Sequence, residues 1–519
     1  MLLKRFYDTP LAQASYLVGC AATGDAIVVD ANRDVEQYVR AAAAEGLRIT
    51  HVTETHIHAD FASGSRELAH RTGAMLHLSD EGDADWKYGF PTPEEQKNGA
   101  RVTLLRDGDT IRVGNVRLDV MATPGHTPEH LTFLVTDTAG ADRPMGALTG
   151  DFVFVGDVGR PDLLERAAGH ANTMEQGART LFRSLQRFKQ LPDWLQLWPG
   201  HGAGSACGKS LGSMPSSTLG YERLFNWGLA ATDEEEFVRQ VLSGQPEPPT
   251  YFAQMKRINK AGPRLLGGFR RPPRLAASRL VDLLDAGALV VDTRPADAYA
   301  ARHVPGTINI PLARSLATWA GWLLPYDREL FLIVGRERPE PDHAADGPDG
   351  VRADEAWVDA AVRDLALIGL DRVGGYFPAN VLGGWVAAGR ELASVPQMSV
   401  AELAASLEGG ARERGELAVV DVRNRGEWEG GHVPGVPNVP LGQLPAHGEE
   451  LPRDRTLVLH CQGGTRSAIA ASLLRARGYD RVVNLSGGFA EWLRDGHVAE
   501  RPPAPSLPSS PTDVAAEAR

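Results

Sequence analysis

At 519 residues, with 43% hydrophobic and 23% charged side chains, the chain is too long for one core and reads as an ordinary globular protein of three or four domains. A formal charge of −12 weighs against a broad nucleic-acid or anionic-membrane surface, which leaves small molecules as the expected partners. No apolar run is long enough to span a bilayer, Lys4, Arg5 and Asp8 interrupt the first residues before a secretory core forms, and three widely spaced cysteines argue against a disulfide framework; a cytoplasmic setting is expected.

Residues 1–250 alternate β-rich runs (AIVVD, RITHVTET, VRLDVMAT, HLTFLVT, LQLWPG) with helical patterns such as DVEQYVRAAAAEGL and ANTMEQGARTLFRSLQRF, the alternation of a layered α/β domain. Within it THVTETHIHADF carries His56, His58 and Asp60 directly after a strand-like run. TPGHTPEH with His126, LTGDFVFVGD with Asp151 and WPGHGAG with His201 repeat the arrangement at glycine-bearing turns, where loops gather side chains around an ion. HxHxD alone is also what polar residues satisfied in a surface turn look like; four such turns in one domain weigh against that reading. The same stretch, GHGAGSACGKSLG, nearly spells a phosphate-binding loop, but Ala203 stands where the pattern requires glycine.

Residues 251–274 are rich in proline and glycine and read as a linker. Beyond it lies a repeat: VVDTRPADAYAARHVPGTINIPL and VVDVRNRGEWEGGHVPGVPNVPL align at a constant spacing, pairing Asp292 with Asp421, Arg294 with Arg423 and His303 with His432. Two copies of one domain are expected, over 275–396 and 397–498, the first lengthened by the acidic loop ERPEPDHAADGPDG. Residues 499–519 have the composition of a disordered tail. In the second copy Cys461 ends an apolar strand, and CQGGTR leads into an amphipathic helix. Gly463, Gly464 and Thr465 can turn backbone N–H groups toward the sulfur, and the helix N-terminus and Arg466 add positive potential, which is what a reactive thiolate or persulfide requires. The first copy has no cysteine.

The four N-terminal motifs, in this order, resemble the metallo-β-lactamase superfamily and imply its αββα sandwich. In the binuclear hydrolases of that superfamily HxHxDH helps to hold two ions, whereas here the final histidine is replaced by Phe61. A phenyl ring donates no lone pair, so one metal is expected, on His56, His126 and Asp151. Two imidazoles and a carboxylate with open positions suit non-haem Fe(II) and O₂ chemistry better than zinc, and within the superfamily the pattern is similar to the persulfide dioxygenases. His58, Asp60 and His201 are then expected to hydrogen-bond ligands or bound water, or to be purely structural. Arg160 is a candidate to hold a substrate carboxylate, with an internal ion pair to Asp162 as the alternative. Cys207, among small residues six positions after His201, is a candidate to carry or position a persulfide, against an idle buried thiol.

The cysteine loop, HVPG and the closing NLSGGFAEW resemble the rhodanese family of sulfurtransferases, which implies sulfur transfer through a Cys461 persulfide. The first copy is then an inactive rhodanese-like domain, a spacer or a docking surface. Taken together the order resembles bifunctional persulfide dioxygenase–sulfurtransferase fusions, and implies oxidation of a low-molecular-weight persulfide by O₂ to sulfite, with sulfur passing to or from thiosulfate. The rivals are a zinc thioester hydrolase of the glyoxalase II type and a noncatalytic sulfur carrier or persulfide sensor. The carrier thiol, and whether the chain forms a homo-oligomer, stay open.

Overall fold

The structure is a computed structural model and describes residues 1–166, 173–335 and 348–501. Residues 337–347 of the expected acidic loop and 502–519 of the expected tail lie outside the described residues. The chain folds into two compact units: Met1–Arg294 with Ile310–Gly384, and Pro295–Asn309 with the chain from Trp385 onward.

The first unit is built on two six-stranded mixed sheets. One follows chain order, β1 (Leu2–Asp8), β2 (Gln13–Cys20), β3 (Asp25–Val29), β4 (Arg48–Thr53), β5 (Met75–Ser79) and β6 (Val102–Leu105). The other runs β12 (Ser217–Thr218), β11 (Gln196–Pro199), β10 (Gly146–Gly150), β9 (Leu131–Asp137), β8 (Val116–Ala122) and β7 (Thr110–Val113). Strand side chains alternate between faces, and here both faces are covered. On β2 and β3, Tyr16, Val18, Ile27 and Val29 point into the core between the sheets, where they meet Leu118, Phe133, Leu148 and Trp198 of the other sheet. The alternate residues Leu17, Ala26 and Val28 meet Tyr38, Ala42 and Leu68 of the helices Glu36–Ala44 and Ser65–Thr72. Across the molecule the helix Met174–Phe188 lays Ala178, Leu181, Leu185 and Phe188 against Ala147 and Leu197. Residues with a 3.6-residue period form the outer layers and those with period two the inner ones, and the result is the expected αββα sandwich. Cys20 belongs to the core between the sheets.

The segment expected as a linker departs from expectation. Phe252–Ala261 forms a ten-residue helix with Phe252, Met255 and Asn259 buried. Proline and glycine on both sides hide this stripe from a compositional reading, because they mark where the helix starts and stops rather than a lack of structure. Arg66 donates to the carbonyls of Gly262 and Pro263, and Glu67 accepts from Leu266 and Gly267 N–H, so the chain stays fastened past the helix.

Both copies of the repeat form parallel sheets. In the first, Leu330–Val334 lies between Leu289–Asp292 and Val373–Pro378; in the second, Thr456–His460 lies between Leu417–Asp421 and Val482–Leu485. Asp292 stands opposite Ile333, and Asp421 opposite His460, so Val334 occupies the position of Cys461. The copies share a buried Asp–Arg pair (Asp292–Arg294 2.7 Å, Asp421–Arg423 2.6 Å) and a ring stacked on histidine at 3.9 Å (Tyr299–His303, Trp428–His432). Residues 310–384 of the first copy belong to the first unit. Arg363 binds Asp8 and Asp34, both at 2.8 Å, Arg33 binds Asp371 at 2.6 Å, and Ala62 N–H donates to the Leu367 carbonyl at 2.7 Å. A detached spacer would make no such contacts. Glu500, expected in the tail, instead exchanges backbone hydrogen bonds with His432. Among the described residues no helix is long and apolar enough to cross a membrane.

Candidate functional site

His56 follows β4, His126 follows β8, Asp151 follows β10 and His201 follows β11, so all four sit past the carboxyl ends of strands from both sheets. His126 Nε2 lies 3.5 Å and His56 Nε2 4.0 Å from Asp151 Oδ2, with all three residues buried. Each ring is fixed through its other nitrogen. His126 Nδ1 donates to the Arg160 carbonyl at 2.9 Å. Thr55 gives its hydroxyl proton to Asp30 (3.0 Å), so its oxygen accepts from His56 Nδ1 at 3.0 Å. Both Nε2 lone pairs then face the carboxylate, the arrangement that outer partners impose on metal-binding imidazoles.

Burial holds His56 well below the usual imidazole range and His126 below it, which favours the neutral, ligating form. Neither oxygen of Asp151 has a hydrogen-bond partner, although the residue is only 1% exposed. A buried carboxylate without a hydrogen bond is costly, and a cation between its Oδ2 and two neutral imidazoles would satisfy it. The three side chains therefore suit a metal ion. Gly200 leaves room for this carboxylate, since a Cβ there would stand 2.8 Å from Asp151 Oδ1.

His58 is held apart from this cluster by Asp30, 3.1 Å from its Nε2. Burial alone would depress it, but Asp30, Glu54 and Asp60 outweigh burial and raise it to about 9. Asp60, His201 and Cys207 form a second group of possible ligands. His201 Nδ1 donates to the Ala12 carbonyl, and Nε2 stands 3.2 Å from Asp60 and 3.4 Å from Asp151 Oδ1. Burial opposes its charge, yet Asp151, Cys207 and Asp60 raise it well above the usual range. Phe61 is fully buried, its ring 4.4 Å from that of His58, and supplies no donor.

Two expectations are corrected. Arg160 is 0% exposed: Nε and Nη2 bind Asp162 at 2.8 and 2.7 Å and Nη1 donates to the Ala206 carbonyl, so the guanidinium is an internal brace, turned away from any incoming carboxylate. Cys207 is as buried as Cys461, and what tells against it as a sulfur carrier is that burial, reinforced by Asp151, pushes its thiol up to about 12. Small neighbours let the loop pack tightly over it instead of opening it.

Three functional residues lie outside those that the motifs single out. His130 Nε2 accepts the Asp151 N–H at 3.1 Å, which places its proton on Nδ1, facing Thr123 Oγ1 at 2.8 Å. Glu129 Oε1 accepts the N–H of Ile57, between the two histidines, at 2.7 Å. Both are the closing residues of TPGHTPEH, in which only His126 is read as a ligand, so the signal lies within the motif itself. Asn259 lies in the supposed linker; its Oδ1 accepts from Ser63 N–H (2.9 Å) and its Nδ2 donates to the carbonyls of His58 (2.8 Å) and Phe61 (2.7 Å), clamping the whole loop. No local pattern announces it.

In the second unit Cys461 follows the strand Thr456–His460 and is 1% exposed. Its sulfur accepts the Gly464 N–H at 3.1 Å and faces the Ser467 hydroxyl at 3.5 Å, at the start of the helix Thr465–Ala476. Gly464 has φ +96°, a left-handed backbone that turns this N–H inward. Gly463 and Thr465 flank it in the same loop. Arg466 is engaged: Nη1 and Nη2 bind the two carboxylate oxygens of Glu427 at 2.6 and 2.7 Å.

Residues 8–201 match the Metallo-beta-lactamase superfamily, and residues 276–337 and 399–495 match the Rhodanese-like domain. A metallo-beta-lactamase from Staphylococcus aureus subsp. aureus COL, solved as a crystal structure, is 43% identical with a TM-score of 0.61; the similarity covers 73% of this chain and 98% of that one. The chain belongs to the metallo-beta-lactamase superfamily and carries rhodanese-like domains in its C-terminal part. A probable metallo-hydrolase of Burkholderia pseudomallei is 29% identical over 39% of this chain and 72% of its own length. The mitochondrial persulfide dioxygenase ETHE1 of Bos taurus is 27% identical over 45% of this chain and 78% of its own.

Proposed function

We propose that the chain oxidises a low-molecular-weight thiol persulfide with O₂ at one Fe(II) held by His56, His126 and Asp151, and moves sulfane sulfur through Cys461. The observation that carries this reading is the Asp151 carboxylate, buried without a hydrogen bond and faced on Oδ2 by two neutral imidazoles, in the same chain as a cysteine cradled at a helix N-terminus. Iron bound there would supply the redox chemistry with O₂, for which two histidines and a carboxylate leave open positions. The likeness to a persulfide dioxygenase supports the same assignment. In the balanced reaction R–S–SH, O₂ and H₂O give R–SH and sulfurous acid, which is sulfite after loss of its protons.

The protein side chains prepare this reaction. Thr55 and the Arg160 carbonyl hold both imidazoles aimed at one point while burial keeps them neutral, His130 fixes the backbone of Asp151, and Asn259 and Glu129 hold the loop that carries His56. Phe61 fills with an apolar ring the place of a further ligand. In the rhodanese-like domain the Gly464 N–H and the helix terminus stabilise negative charge on sulfur. Transfer from the Cys461 persulfide to sulfite breaks its S–S bond, forms thiosulfate and returns the thiolate. The same groups serve the reverse direction. Three free thiols accord with a cytoplasmic setting.

A second reading has one observation in its favour: Asp60, His201 and Cys207 group closely enough to hold another ion, as a zinc thioester hydrolase would need. Oxygen uptake separates the two. Full-length protein loaded with Fe(II) and given glutathione persulfide should consume O₂ and release sulfite in equal amounts, and Asp151→Ala should do neither. Hydrolysis of acylglutathione thioesters without oxygen uptake would overturn the assignment.

A further inference from the structure

Arg466 stands at the first turn of the helix that follows Cys461, where a guanidinium would meet an incoming sulfur oxyanion. Both of its terminal nitrogens are instead bound, in a bidentate pair, to Glu427. Such a pair matches the geometry with which guanidinium binds carboxylate or sulfonate-like oxygens, so Glu427 occupies the surface the anion would use. The pair is within reach of solvent, the side chains being 18% and 35% exposed, and an anion can therefore compete for it. Arg466 holds Glu427 below the usual carboxylate range against the opposing effect of burial, and the charge of Cys461 acts on Arg466. These groups share one electrostatic site.

A structural role for Glu427 is the alternative, because its Oε2 also accepts the Asn424 N–H at 3.1 Å and caps the short helix Arg425–Glu429. The inactive copy bears on this. At the repeat spacing Glu427 corresponds to Ala298, within the helix Ala296–Ala301, which forms at the same place without a glutamate. The copy that lacks the cysteine lacks this carboxylate too, although it keeps the Asp–Arg pair and the ring stacked on histidine. There Pro295, which has no N–H to cap, replaces Asn424, so the same turn forms in this fold without a glutamate.

We propose that Glu427 determines the specificity of the Cys461 site, competing with sulfite and thiosulfate for Arg466 and so weakening the site toward oxyanions relative to persulfide donors, which carry no sulfonate oxygens at the reacting sulfur. The inference rests on the reading of Cys461 as the sulfur carrier. In the step concerned, the Cys461 thiolate attacks the outer sulfur of thiosulfate, the S–S bond of thiosulfate breaks, sulfite leaves with the electron pair, and Cys461 becomes a persulfide. Arg466 freed from Glu427 would bind the sulfonate oxygens of the incoming ion.

The test uses the full-length chain with thiosulfate as donor and glutathione as acceptor. Glu427→Gln should lower the KM for thiosulfate roughly fivefold, the size expected for releasing a partly exposed ion pair, with kcat changed by less than about twofold. In an Arg466→Gln background the same substitution should leave KM where it was, which a merely structural glutamate would not bring about. Glu427→Asp, which keeps the charge but shortens the reach, should fall between wild type and Glu427→Gln and serves if the glutamine variant folds poorly. An unchanged or raised KM in the Glu427→Gln or Glu427→Asp variant, or an equal effect with and without Arg466, overturns the proposal. Cys461→Ser distinguishes this failure from that of the underlying reading: transfer that survives the loss of Cys461 would remove the sulfurtransferase assignment itself.

Discussion

Single side chains here do work that their neighbours in sequence conceal. Arg160 and Asp162 are both fully buried and bound to each other; removing one partner strands the other charge, a loss of about 3–5 kcal/mol in comparable cases. Arg160→Met should therefore lower the melting temperature sharply while the folded fraction keeps its KM for persulfide, and a raised KM at unchanged stability would restore the arginine as a substrate contact. Asn259→Ala removes three hydrogen bonds to buried backbone groups of the metal loop, each costing about 1–3 kcal/mol when left unmade. Faster loss of metal to a chelator is the expected outcome, and retention equal to wild type would show that the loop keeps its shape unaided. At this scale the sequence is legible where chemistry imposes spacing, as in His56, His58 and Asp60. It is not legible for Asn259, whose contacts lie 196 to 201 positions away, or for Arg160, because an exposed clamp and a buried brace have the same spelling.

At the scale of elements, the strands deliver the ligands and the turns after them set the distances. Gly200, between β11 and His201, has its missing Cβ beside Asp151 Oδ1. Gly200→Ala should displace that carboxylate and lower iron occupancy several-fold while the sheet, whose backbone bonds are untouched, keeps its circular dichroism; full occupancy would mean the turn yields at little cost. Alternating and 3.6-residue patterns make both layers legible from the order of residues alone, since each pattern follows from which face is covered. The helix Phe252–Ala261 reads as linker because composition reports chain breakers and not the short apolar stripe between them. In the repeat, matching spacing identifies both copies, and strand register then places Val334 where the second copy has Cys461.

Considered as a whole molecule, the chain joins a candidate metal site to a rhodanese-like thiol loop. Most of the first repeat copy is packed into the same unit as the candidate metal site through Arg363, Arg33 and the Leu367 carbonyl. That placement is beyond reach from sequence, because nothing in a repeat motif specifies which neighbour its outer face will meet. Cys461→Ser should spare sulfite production and eliminate thiosulfate exchange, whereas Asp151→Ala should do the reverse; loss of both activities in either variant would reveal that the sites are coupled.

The central claim is a single iron held by His56, His126 and Asp151. Anomalous diffraction from crystals of natively metallated protein, measured on both sides of the iron and zinc absorption edges, addresses it most directly. One iron peak is expected beside His56, His126 and Asp151, with none at Asp60, His201 and Cys207. A pair of zinc peaks filling both groups would contradict it.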